Sequence, residues 1–107
     1  MPAARLEGRH LLLPGHGPGS PTLEVFSYRD MPPRGRRAIH EPGLGHLCFR
    51  VDDVAAARAA VLAHGGGALG EVVRHEVPGA GTVTWCYVTD PEGNGLELQR
   101  WDGDGVR

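Results

Sequence analysis

No apolar stretch in the sequence approaches the roughly 18–20 residues that a membrane-spanning helix needs, so no membrane partner is expected. An excess of basic charge is also missing. Eleven basic residues stand against 13 acidic ones, a formal charge of −2, and this leaves no electrostatic footprint for nucleic acid. Cysteine is scarce: only Cys48 and Cys86 occur, with no CxxC pair, which leaves a disulfide or a metal role as the lesser reading. Both cysteines fall in strand-like runs and are expected to be buried thiols. Lysine is absent altogether. With 17 glycines, that all-arginine composition fits GC-rich bacterial coding and says nothing about function. The opening residues MPAARLEGRH lack the apolar core of a signal peptide, so a cytoplasmic protein is the expectation. At 107 residues there is room for about one domain with a modest core.

Periodicity divides what is present into three parts. Residues 1–30 hold two strand candidates, Arg9 to Leu13 and Thr22 to Tyr28, joined by a loop rich in Gly and Pro. In the second strand Leu23, Val25 and Ser27 alternate against Glu24, Phe26 and Tyr28. Residues 31–43 are rich in Pro, Gly and Arg without periodicity and read as a linker. Residues 44–107 then read as strand, helix, strand, strand, strand. In the first of these, Leu47, Phe49 and Val51 face one way and His46, Cys48 and Arg50 the other. Asp52 or Asp53 is positioned to cap a helix from about Val54 to His64, with Val54, Ala57, Val61 and Leu62 as its apolar stripe and Gly65 as its stop. GGALGEVVRHEV and GTVTWCYVT are two further strands, and DPEGN is a turn by composition. In the last strand Leu96 and Leu98 alternate against Glu97, Gln99 and Trp101. The pattern predicts an α+β fold: a sheet with a helix on one face and a cavity on the other.

GLGHLCFRVDDV before a helix, and VTDPEGNGLELQRW at the end, resemble the two signature ends of a vicinal oxygen chelate module. That superfamily includes glyoxalases, bleomycin-resistance proteins and extradiol dioxygenases. The likeness is close over residues 44–101. It implies a complete βαβββ module there, preceded by two strands left from an incomplete first module. It also implies a cup with a divalent metal at its floor, held by residues of each module's first and last strands. His46 and Glu97 occupy those positions, and Glu24 stands where the preceding module's carboxylate ligand is expected. Glu97 and Glu24 are thereby the candidate catalytic carboxylates.

The donor chemistry supports the same idea. An imidazole nitrogen and a carboxylate oxygen on one side of one sheet suit Zn, Ni, Fe, Mn or Co. A half-wet strand face carrying a polar His and Glu is the plainer alternative. Arg50, Phe26, Tyr28, Trp85, Tyr87, Gln99 and Trp101 are the candidate lining of a small-molecule pocket, with core or interface packing as the competing role. Two functions are in play. One is a metal-dependent lyase, isomerase or dioxygenase that chelates two oxygens of a small molecule. The other is a metal-free binding protein of the bleomycin-resistance type.

Two ligands are too few for a tight metal centre, and Leu23 and Val25 face where the absent helix of the first module belongs. A homodimer answers both needs, because each copy contributes a His46 and a Glu97; a site completed by Glu24 of the same chain is the other arrangement. Analytical ultracentrifugation at micromolar concentration is therefore expected to give twice the monomer mass. A monomer there contradicts the dimer and the shared site together.

Overall fold

The computed structural model describes residues 5–33, 35 and 38–103. The chain divides into two compact units, Met1–Gly35 and Arg36–Arg107.

The first unit is an antiparallel hairpin of β1 (Leu6–Leu12) and β2 (Thr22–Tyr28). Its first strand starts three residues before the sequence pattern places it, because Leu6 and Glu7 find ladder partners in Tyr28 and Ser27. The register also sets His10 opposite Glu24 and Gly8 opposite Phe26. A side chain at Gly8 would collide with the Phe26 ring, which lies flat over that glycine. Leu6, Leu11, Leu12, Val25 and Phe26 are all exposed. Two strands alone have too little surface to bury them.

The second unit contains β3 (Leu47–Arg50), α1 (Val54–Ala63), β4 (Gly67–Val77), β5 (Gly81–Thr89) and β6 (Gly95–Asp102). The sheet order is β3-β6-β5-β4, with β3 parallel to β6 and the other pairs antiparallel. The linker residues Arg34, Arg36 and Arg37 lie outside the described residues.

Local chemistry explains each boundary. Asp53 caps α1, its carboxylate accepting from the Ala56 amide at 3.0 Å. Gly65, at φ 93°, ends the helix in the left-handed region. At Gly66 a Cβ would overlap the Thr89 carbonyl and the Val61 side chain, so only glycine lets the helix exit pass so close to β5. Asp90 folds the DPEGN turn: its carboxylate accepts from the amides of Glu92 and Asn94 and from the Asn94 side chain, at 3.0, 2.8 and 2.8 Å.

The core lies where α1 meets the sheet. Val54, Cys86, Val88 and Leu98 are buried there, with Phe49, Val51, Ala57, Val61 and Leu96 packed around them. Leu62 departs from the expected stripe and stays exposed, since the helix touches the sheet through a narrower strip. Cys48 departs as well: it is exposed, while Cys86 is buried. The cause is the alternation of β3, which turns Phe49 toward the helix and Cys48 to the opposite face. Along β4 the register slips between Leu69 and Val73, and Arg58 of α1 donates to the Gly70 carbonyl of that bulge at 3.2 Å. No helix among the described residues is long and apolar enough to cross a membrane.

Leu98→Ala removes a side chain at the centre of this core and is expected to lower stability by about 2–5 kcal/mol in urea denaturation. Leu62→Ala, on the exposed face of the same helix, is expected to change it by under about 0.5 kcal/mol. Equal losses for the two would contradict the placement of the core.

Candidate functional site

The pairing registers define the face of the second unit opposite α1. One row across the sheet runs Leu69, Tyr87, Glu97, Cys48. The next runs Val73, Trp85, Gln99, Arg50, and a third runs His75, Val83, Trp101. His46, one residue before β3, reaches into the first row. Its Nε2 lies 3.1 Å from Glu97 Oε1, although the two residues are 51 positions apart in sequence. The Tyr87 ring meets the imidazole edge-on, centroids 5.1 Å apart and planes at 88°.

Glu97 is the hub of the arrangement. His46 holds Oε1, and Gln99 Nε2 donates to Oε2 at 2.9 Å. The register sets Tyr87 and Cys48 directly opposite Glu97, one on each neighbouring strand. Trp101 Nε1 donates in turn to Gln99 Oε1 at 2.8 Å. Only 13% of the Glu97 side chain and 27% of His46 are exposed. A carboxylate so enclosed needs its donors, because burial without them carries a large desolvation penalty.

This environment acts on its neighbours. Burial pushes the Cys48 thiol above its ordinary pKa, and the charge of Glu97 and the hydrogen bond to it add to the rise. Tyr87 is raised for the same reasons, burial first and Glu97 after it. Burial also raises Cys86, against a smaller lowering by Arg58.

The structure thus gathers His46, Glu97, Tyr87, Gln99 and Trp101 into one connected cluster, and the register puts Trp85 and Arg50 on the same face. Glu24, Phe26 and Tyr28 belong to the first unit, where they share one face of the hairpin. There His10 Nε2 lies 3.2 Å from Glu24 Oε1, with 63% and 54% of the two side chains exposed. The shallow depression lined by Arg5, Leu6, Glu7, Ser27 and Arg29 is also in this unit and holds none of the candidate ligands.

Sequence reasoning missed the part played by Cys48. The signal was available, since strand parity sets it beside His46 on the polar face. Among the described residues, no group of three or more His, Cys, Asp or Glu side chains is arranged to hold a metal.

The family model of the Glyoxalase/Bleomycin resistance protein/Dioxygenase superfamily matches residues 10–98, well over half of the chain. No curated protein and no solved structure matches it.

The thiolate is the reactive form of cysteine, so a raised pKa means less of it at a given pH. At pH 8, Cys48 is expected to react with iodoacetamide more slowly than a free thiol despite its exposure. Glu97→Gln removes the charge and leaves the burial, so it should speed the reaction without bringing it to the free-thiol rate. Labelling followed by peptide mass spectrometry reads both rates, and an unchanged rate in Glu97→Gln would contradict the Glu97 contribution.

Proposed function

Because the chain belongs to the Glyoxalase/Bleomycin resistance protein/Dioxygenase superfamily, we propose that the sheet face opposite α1 is the site of a glyoxalase-like, metal-dependent lyase, isomerase or dioxygenase. Its substrate is a small molecule that offers two neighbouring oxygens. The observation that carries the reading is the 3.1 Å approach of His46 Nε2 to Glu97 Oε1. The pair would hold a divalent ion, because an imidazole nitrogen and a carboxylate oxygen converge on one point of the sheet face. The donor types fit Zn, Ni, Fe, Mn or Co. When bound, the ion supplies Lewis-acid polarisation of the substrate oxygens.

The protein groups have separate tasks. His46 Nε2 faces the Glu97 carboxylate at 3.1 Å and donates to it in the tautomer that carries its proton there. As a metal ligand His46 would present the lone pair of that nitrogen and carry its proton on Nδ1. Glu97 Oε2 stays held by Gln99. Trp85 and Tyr87 offer aromatic faces to a planar substrate, and Arg50 on the same row as Trp85 suits an anionic group. His46 and Glu97 from a second copy complete the ligand set in a homodimer. Glu24 is proposed as a further carboxylate ligand, and Phe26 and Tyr28 as pocket residues, on the strength of their family positions alone.

One observation favours a second reading. His46 and Gln99 already hydrogen-bond the two oxygens of the Glu97 carboxylate without any metal. A metal-free binding protein of the bleomycin-resistance type would use the pair as a fixed polar floor under a flat ligand.

Elemental analysis of protein expressed in metal-supplemented medium separates the two. The enzyme reading expects at least one divalent metal per two chains, lost in His46→Ala. Metal-free protein under those conditions would overturn it in favour of the binder.

A further inference from the structure

We propose that Trp101 and Gln99 are positioning residues: a two-bond relay that fixes the rotamer of the Glu97 carboxylate, where their place on the sheet face first marked them as pocket lining. The proposal deepens the reading above and rests on it for its metal-binding consequence only. The relay itself is a property of the protein without metal.

Glu97, Gln99 and Trp101 are alternate residues of β6 and so share one face, spaced about 6.6–6.8 Å per pair along the strand. A carboxylate and an indole four residues apart cannot touch directly at that spacing. A glutamine between them is long enough to reach both, and its amide does so: Nε2 lies 2.9 Å from Glu97 Oε2, and Oε1 lies 2.8 Å from Trp101 Nε1.

The chemistry of the three groups allows only one direction. An indole N–H donates and never accepts, so the amide oxygen must face Trp101. The amide nitrogen is thereby turned toward Glu97, where it finds an acceptor. Trp101 thus removes the ambiguity that an amide ordinarily has, and it does so without touching Glu97. The result is a carboxylate with Oε2 anchored along its own strand and Oε1 left to His46 at 3.1 Å. Neither Gln99 nor Trp101 is fully exposed, so water competes weakly for these bonds. The register sets Trp85 directly opposite Gln99 and Val83 opposite Trp101, which hems the relay in from the neighbouring strand.

Outer groups that orient a metal ligand typically change affinity about 10–100-fold when removed. Gln99→Glu keeps the shape and loses the donor to Glu97. Trp101→Phe keeps a ring and loses the group that turns the amide. Both variants are expected to bind Zn²⁺ about 10–100-fold more weakly than wild type by titration calorimetry, with unchanged circular dichroism. A second readout needs no metal. The indole Nε1–H resonance of Trp101, assigned with the help of Trp85→Phe, is expected to shift in Gln99→Glu and also in Glu97→Gln, two links away.

An indole resonance that ignores Glu97→Gln overturns the relay. A resonance that shifts while both variants keep wild-type Zn²⁺ affinity overturns the positioning role. Wild-type protein that takes up no Zn²⁺ overturns the metal reading above, and the relay then stands or falls on the indole resonance.

Discussion

The parallel pairing of β3 with β6 is the constraint on which everything else in the second unit depends. Parallel neighbours cannot be joined by a tight turn, so the chain must pass through α1, β4 and β5 before it returns. That detour puts α1 on one face and lays Cys48 against Glu97 in the ladder. His46, one residue earlier, then arrives beside the Glu97 carboxylate. A slip of one residue would turn every side chain of β3 to the other face and take His46 and Cys48 away from Glu97. The register is held from behind: Leu98 is buried against α1, and Phe49, paired with it, packs on the same core. Core and candidate site are thus opposite faces of the same two strands.

Glu97 sets the electrostatic character of that site. His46 and Gln99 bond the two oxygens of its largely enclosed carboxylate, and Tyr87 and Cys48 stand opposite it on the neighbouring strands. The arrangement does two things at once. It holds Glu97 in one rotamer, and it leaves Oε1 bonded to a group, His46, that is itself a metal ligand by type. The superfamily to which the chain belongs takes its name from glyoxalases, bleomycin-resistance proteins and dioxygenases. The choice between them turns on whether His46 and Glu97 bind a metal.

Much of this was legible in the sequence, and the residues show why. Alternation in LCFR and in LELQRW separated helix-facing from site-facing residues, because two-residue periodicity is a direct consequence of the pleat. Asp53 and Gly65 marked the ends of α1 through capping chemistry that acts over a few residues. The superfamily was readable from the paired signatures around His46 and Glu97. What escaped depends on distant partners or on rotamers. The start of β1 at Leu6 required the ladder with Tyr28, and the bulge of β4 required the neighbouring β5. The exposure of Leu62 depends on how wide the helix contact is, and that of Cys48 on what covers the face away from α1; composition records neither. The hydrogen bonds among Glu97, Gln99 and Trp101 are choices of side-chain torsion, so an alternating pattern names the three residues and not their connection.

The central claim is that His46 and Glu97 are ligands of one divalent ion. X-ray absorption at the cobalt edge, on protein loaded with Co²⁺ at one equivalent or less, tests it most directly. The account expects a first shell of nitrogen and oxygen near about 2.0–2.1 Å with the outer-shell scattering of imidazole, and loss of that imidazole signal in His46→Ala. A spectrum indistinguishable from hydrated cobalt, or an imidazole signal that persists in His46→Ala, would contradict it.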